Sequence, residues 1–351
     1  MFIGVDLSSN MVSFSYLHND TIKTCYMKEV SEFYYSKINS ERLNDLLKGI
    51  KMYAEFMLQK PIVHFVIAIP SYCDYLHIKK LYNLSNNLGI DILDVQYSSS
   101  FSCMCLGHEL YLEKQGNKRP GHVNLYCSLH PDRIEFTVFE HSDGITELLG
   151  TTTVMINKNQ ETDTIKKQIH SEINQLTKDL NLTTRISKET YMFYSDLGCD
   201  HNLKEYVIDL SKSSFGVEPI SYSSCCASRG ALLQAMILHG KLKQSLVLNT
   251  QNRSISIGLG ENGEFKNMIR YYSTIPIKKT EDLLVSNEKR LLLYEGNYLN
   301  RKFDTVIGEF KIPDHLEGHT IKVELLIDVR HKISISVTDD RNNVVLPRTI
   351  V

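Results

Sequence analysis

The pattern of this chain changes near residue 241, and that change limits what it can fold into. Before it, short apolar runs of the buried-strand kind alternate with stretches whose apolar residues recur every three or four positions. After it, only short strand-like runs remain, separated by turn residues. The first part therefore predicts an α/β layer and the second an all-β domain. In the first part, residues 1–8 read as a buried strand and residues 11–17 as its returning partner. Helices are predicted at 40–58, 75–88, 100–112, 162–180, 203–211 and 227–239. Strands are predicted at 64–69, 90–95, 123–126, 134–140, 146–155, 190–195 and 217–222. Beyond the boundary, strands are predicted at 254–258, 266–271, 283–286, 291–294, 306–311, 322–328 and 332–338. The domains are thus 1–240 and 250–351, joined by an apolar linker at 241–249.

The 351 residues suffice for two domains with their own cores. With 42% hydrophobic and 23% charged residues, the composition is that of a globular chain. A formal net charge of -2 gives no broad electrostatic footprint, so no direct nucleic-acid partner is expected. No apolar run reaches the roughly eighteen residues of a membrane-spanning helix. The start, MFIGVDLSSN, lacks the basic and apolar regions of a signal peptide. A cytoplasmic protein without membrane contact is the expectation. The eight cysteines form no CxxC pair and no zinc spacing, so free thiols and no metal are expected. His130, His201 and His239 are expected at the surface or at helix caps. No HExxH and no GxSxG motif is present, and no catalytic residue is predicted.

The second half carries a series of pieces in register: Ser273-Thr-Ile-Pro276, Tyr294-Glu-Gly296, Ile307-Gly-Glu-Phe310, Val323 to Asp328, and Ile333 to Val337 followed by Asp339. In order and spacing these resemble the β-sandwich substrate domain of the heat-shock protein 70 chaperones. The first half agrees. Ile3-Gly-Val-Asp-Leu7 resembles that family's first phosphate strand, and Val66 to Tyr72 resembles the segment leading to its connecting region. Ser224 to Leu238 resembles its last ATPase-domain helix, and Ser245 to Asn249 stands where the family has its interdomain linker. The resemblance implies a minimal actin-like ATPase fold, reduced to two inner subdomains with both outer lobes missing. A β-sandwich substrate-binding-like domain without a helical lid would follow.

The same resemblance marks what is missing. Phosphate cradling needs glycines, which let backbone N–H groups approach the anion. The family's first loop has a Gly and two Thr after its Asp-Leu pair, whereas here Asp6-Leu7 is followed by Ser8, Ser9 and Asn10. The second loop normally holds a run of glycines between two Asp. Here Cys127-Ser-Leu-His-Pro-Asp-Arg-Ile-Glu135 stands in its place, with Cys127 at the first carboxylate and Glu135 near the second. Ser98 stands for the connecting-region Glu, and Ser195-Asp196 for the adenine-side glycines. Asp6, Ser8, Ser9, Asn10, Ser98, Cys127 and Glu135 are thus the vestigial nucleotide site. No cofactor is expected, because phosphoryl hydrolysis rests on positioning and charge stabilisation that these residues no longer supply.

What the resemblance implies is a catalytically inactive scaffold or co-chaperone. Its plan is similar to that of the atypical member of the ribosome-associated complex, which pairs with the J-domain protein zuotin. A zuotin-like partner and, through it, the ribosome are the expected associates. A partner segment would lie along Ser245, Leu246, Val247, Leu248 and Asn249 and on exposed sheet edges by strand addition. Extended apolar peptides are a second class of ligand, with Leu259, Asn262 and Leu284 near the groove. Two alternatives differ in kind. One is a lidless chaperone that binds peptides without ATP, and the other is a weak residual ATPase.

Overall fold

A computed structural model describes residues 1–8, 12–27, 40–113, 122–142, 145–157, 159–242, 246–248, 250–251, 253–260, 265–270, 273–285, 287–296, 305–328, 331–341 and 343–351. It is a mixed α/β structure with several sheets. The chain divides into two compact units, Met1–Cys73 with Ile78–Leu248, and Asp74–His77 with Asn249–Val351.

The first unit runs β1 (Phe2–Asp6), β2 (Val12–His18), β3 (Thr21–Met27), α1 (Ser40–Leu58), β4 (His64–Ile69), α2 (Tyr75–Asn87), β5 (Asp91–Tyr97) and α3 (Ser98–Glu113). It continues with β6 (His122–Leu129), β7 (Arg133–Ser142), β8 (Ile145–Met155), α4 (Thr162–Asp179), α5 (Leu182–Arg185), β9 (Met192–Asp196), α6 (His201–Phe215), β10 (Pro219–Ser221), α7 (Cys226–Leu238) and β11 (Leu246–Leu248). One sheet has the order β3-β2-β1-β4-β5, the other β10-β9-β6-β7-β8-β11. The first five strands of each half follow one plan. Two hairpin-linked antiparallel strands flank a first strand, and the next two lie parallel to it on its other side. Parallel strands covered on both faces read as continuous apolar runs, which is why His64–Ile69 was legible as a strand.

Three apolar clusters hold this unit. Leu43, Leu47 and Ile50 of α1 pack with Ile78 and Leu81 of α2 against one face of the first sheet. Ile165, Ile169, Ile173 and Leu176 of α4, with Leu203 and Val207 of α6, cover one face of the second. Between the two sheets lie α3 and α7, whose Phe101, Met104, Ala231 and Leu232 meet Val66, Ala68, Tyr126 and Phe139. Small residues fix the spacing of this middle layer. A Cβ at Gly4 would lie 2.2 Å from the backbone nitrogen of Leu232, and one at Gly230 would lie 1.8 Å from the carbonyl oxygen of Phe101. Both contacts are with backbone, which cannot rotate away.

The second unit is built from β12 (Thr250–Gln251), β13 (Ser254–Leu259), β14 (Phe265–Ile269), β15 (Ser273–Thr274), β16 (Ile277–Leu284), β17 (Arg290–Gly296), β18 (Thr305–Lys311), β19 (Thr320–Ile327), β20 (Ile333–Asp339) and β21 (Val344–Ile350). Two four-stranded antiparallel sheets have the orders β14-β13-β17-β18 and β16-β19-β20-β21. Their alternating aliphatic residues, among them Ile257, Leu293, Val323, Leu325 and Ile335, form one buried cluster. Lys322 and Glu324 between them point outward, as a period of two requires.

Several elements depart from the sequence reading. Residues 246–248, expected as a linker, form β11 and pair in parallel with residues 145–147 of β8. Strands β3 and β21 were not anticipated, and β16 starts six residues before the predicted 283. All eight cysteines are free thiols, as expected from their spacing. Among the described residues no helix is long and apolar enough to cross a membrane.

The middle layer yields a paired expectation. Gly230→Ala should lower stability by about 1–3 kcal/mol or more, because the methyl group has nowhere to go. Gly49→Ala, at an interior position of α1 where a Cβ meets nothing within 4 Å, should raise it by about 1 kcal/mol. Urea denaturation of the two variants, read against the parent, checks both signs.

Candidate functional site

The carboxyl ends of β1 and β4 meet the turn between β6 and β7. Ligands of open α/β sheets commonly sit at such strand ends. Leu7 continues from β1 and its N–H donates to the carbonyl of Ala68 at 2.9 Å, which draws the two strand ends together. The β6–β7 turn is tight, since the His130 N–H donates to the Arg133 carbonyl at 2.9 Å. Arg133 and Glu135 then stand two apart on one strand, so their side chains share a face.

That face carries a buried charged group. The Arg133 side chain is 3% exposed and that of Glu135 is 1% exposed. The Nε–H of Arg133 donates to Glu135 Oε1 at 2.6 Å. Its Nη1 donates to Asp132 Oδ1 at 3.1 Å. Its Nη2 donates to the Ser8 carbonyl at 2.5 Å and lies 3.2 Å from Nε2 of His130. The Tyr72 ring sits with its centroid 5.3 Å from the guanidinium carbon. Ser71, just beyond β4, donates its hydroxyl to Glu135 Oε1 at 2.6 Å, and its oxygen lies 2.9 Å from Oγ1 of Thr153 on β8. Ser128 donates to the other Glu135 oxygen at 3.4 Å. One guanidinium thus joins groups from β1, β4 and the β6–β7 turn.

Electrostatics follow from these contacts. Burial pushes Asp6 up to about 6, although two hydrogen bonds from Ser8 and the nearby Arg133 charge pull it down. The Ser8 N–H and hydroxyl both donate to Asp6 Oδ1, at 2.8 and 2.6 Å. Burial also acts to raise Glu135, but Arg133, His130 and the hydrogen bonds from Ser71 and Arg133 outweigh it and bring the group down to about 2. Burial lowers His130 to about 3, with Arg133 acting in the same direction. The imidazole is therefore neutral near pH 7, and Nε2 serves as an acceptor for the guanidinium.

The structure brings Asp6, Ser8 and Glu135 together as the sequence suggested. Ser9 and Asn10 lie outside the described residues. Cys127 faces the opposite side of β6, in the cluster under α4 and α6, and burial raises its thiol well above the usual range. Its neighbour Ser128 faces Glu135 instead. Ser98 opens α3 at the end of β5, and none of the hydrogen bonds above reaches it. His130, expected at the surface, is 1% exposed, because the short turn folds it in beside Arg133. His201 and His239 stand at helix ends as expected. Arg133, Ser71 and Thr153 were not singled out from sequence, and His130 was read as a surface or cap residue. The spacing Arg-x-Glu at the head of an apolar strand was the available signal.

A cleft of about 600 Å³ opens beside Thr153, lined also by Asn157, Gln160, Gln168, Ser171 and Glu172. Among the described residues its polar lining is neutral or acidic. Among the described residues no group of three His, Cys, Asp or Glu side chains could hold a metal ion. In the second unit Leu259 is fully buried in the core, and Leu284 is 57% exposed on the other sheet. Ser245, Asn249 and Asn262 lie outside the described residues, while Leu246, Val247 and Leu248 form β11. Compared with protein families and curated proteins, the sequence matches no family model and no curated protein.

The three titrations set a pH dependence. Asp6 ionises near the ordinary aspartate value of 3.8 when unfolded but near 6 when folded, so its contribution is present at low pH and lost as pH rises through about 6. His130 and Glu135 act in the opposite sense. Their contributions are full above 6.5 and 4.5 and are lost as pH falls towards about 3 and about 2. Asp6→Asn keeps the Ser8 acceptor and removes the opposing titration. Its stability should therefore climb more steeply than the parent's between pH 4 and 6, as read by urea denaturation across that range. Parallel curves would show that Asp6 titrates normally in the folded state.

Proposed function

We propose that this chain is a catalytically inactive member of the heat-shock protein 70 family, acting as a scaffold or co-chaperone in the cytoplasm. It would work with a zuotin-like J-domain protein and, through it, at the ribosome. The observation that carries the reading is the Arg133 group. In an actin-like ATPase, the turns after the first strand of each half face the nucleotide's phosphates. Here the corresponding turns are joined by a guanidinium of the chain itself, held to the Ser8 carbonyl, Asp132 and Glu135. A phosphate could enter only by displacing Arg133 and would then meet the carboxylates of Asp6, Asp132 and Glu135. That arrangement repels an anion rather than cradling it.

Two further features support the family reading. The five-strand plan occurs twice, with α1, α2 and α3 matched by α4, α6 and α7. Such a repeat is what two inner subdomains of an actin-like fold would give. The second unit pairs two four-stranded antiparallel sheets over one core, the arrangement expected of a β-sandwich substrate domain. The partner reading rests on the edges. Strand addition is already used by this chain, since 246–248 extend the second sheet at β8. A partner segment in extended form would continue from the outer edge of β11 or add to an edge of the second unit. The peptide-chaperone alternative gains nothing from Leu259, which is enclosed in the core.

Affinity purification of the tagged full chain from cells that express it, after mild cross-linking, should recover a J-domain protein together with ribosomal proteins. Recovery of neither would sink the partner reading. Calorimetry with magnesium and ATP should give no binding heat, and a clear isotherm would overturn the reading of the first unit.

A further inference from the structure

Binding a ligand between two groups of strands usually couples their positions to ligand concentration. In this chain the corresponding place is filled from within, and the filling group has unusual chemistry. Four N–H directions of one guanidinium are satisfied by four different acceptors, namely a strand-end carbonyl, two carboxylates and a neutral imidazole. The acceptors come from two sheets. Ser8 follows β1 of the first sheet, and the other three belong to the β6–β7 turn and β7 of the second. Glu135 is tied back to the first sheet's side by Ser71. A planar fork of this kind reads carboxylate and carbonyl geometry in a way that a point charge cannot.

We propose that Arg133 is a built-in ligand, a tethered guanidinium that latches the ends of β1 and β4 to the β6–β7 turn and keeps the two sheets in one arrangement without any bound molecule. The pocket around it is a guanidinium site. Cutting off the side chain leaves a cavity faced by the Ser8 carbonyl, Asp132 and Glu135, with the size and acceptors to take the free cation. The latch depends on both sides. The Ser8 contact holds β1 and the Ser71–Glu135 contact holds β4, so each can be weakened separately. This inference stands on the contacts of Arg133 and Glu135 and does not need the family reading.

The test uses the full-length protein and three variants. Arg133→Ala should speed amide exchange at residues 6–8, 68–73 and 128–135 by about 100-fold or more, the loss expected when a buried carboxylate is left without its partner. Guanidinium or methylguanidinium chloride at low millimolar concentration should restore the melting temperature and the exchange protection of that variant. Sodium chloride at equal ionic strength and urea should not. Arg133→Lys keeps the charge without the fork and should be intermediate and insensitive to guanidinium. Ser71→Ala should loosen residues 68–73 while leaving 128–135 protected. If Arg133→Ala does not fold, failure of Ser71→Ala to loosen 68–73 selectively overturns the latch. For a folded Arg133→Ala, two results overturn it. One is rescue no better than with sodium chloride, and the other is exchange that rises evenly through the unit.

Discussion

A guanidinium cannot leave water without partners, and that constraint organises the first unit. The cost of taking an ion out of water is several kcal/mol even after relaxation. It is offset only where geometry satisfies the remaining donors. Arg133 meets that condition through Glu135, Asp132, the Ser8 carbonyl and His130, at distances from 2.5 to 3.2 Å. Each of those partners is itself buried or nearly so, and removing one leaves the others uncompensated. His130 must stay neutral to accept from the guanidinium, which its buried position ensures. The turn from His130 to Glu135 is therefore one unit of chemistry rather than six separate residues.

The reach of a single side chain suffices only because the middle layer is thin. Gly4 admits the backbone of α7 onto β1, and Gly230 admits the backbone of α3 onto α7. Hydroxyls carry the same close fit on, with Ser228 of α7 lying within hydrogen-bonding distance of Ser13 and Ser15 on β2. A larger residue at either glycine would push the sheets apart by the width of a methyl group or more. The packing of α3 and α7 and the charged contact at the strand ends are thus two parts of one geometry, though one is apolar and the other ionic.

Much of this was legible in the sequence, and the failures have physical causes. Helices with a full apolar stripe were placed within a residue or two, as with 162–180 against Thr162–Asp179. Strands such as His64–Ile69 were found because they are apolar on both faces, and β19 and β20 because their apolar residues alternate. The edge strands β3 and β21 were missed, and most of β16 with them. Residues 278–282 of β16 read Lys-Lys-Thr-Glu-Asp, the charged composition by which edges avoid pairing with other chains, and charge hides the strand from an apolar search. Residues 246–248 pair at the edge of a sheet, although a short apolar stretch between polar neighbours also reads as a linker. At the site, the loss of glycines was visible, and it drew attention to Asp6, Ser8 and Glu135, which lie together in the structure. Arg133 was passed over because an arginine in a polar turn is normally solvated. Only the apposition of the β1 end, 125 residues away in sequence, buries it.

A site filled by its own chain changes what can regulate the protein. A ligand shifts a conformational equilibrium only by its difference in affinity for the two states. Where the ligand is tethered, its effective concentration is constant, and the state it favours is favoured always. A group held in this way does not dissociate, so the contact it makes does not vary with the concentration of any free molecule. Backbone at the sheet edges offers groups that a further strand could pair with. β8 links the two places. Its Thr153 touches the Ser71 contact of the latch, and its residues 145–147 carry the strand 246–248. A segment that competes with or extends β11 would act on the same strand that the latch holds at its other end.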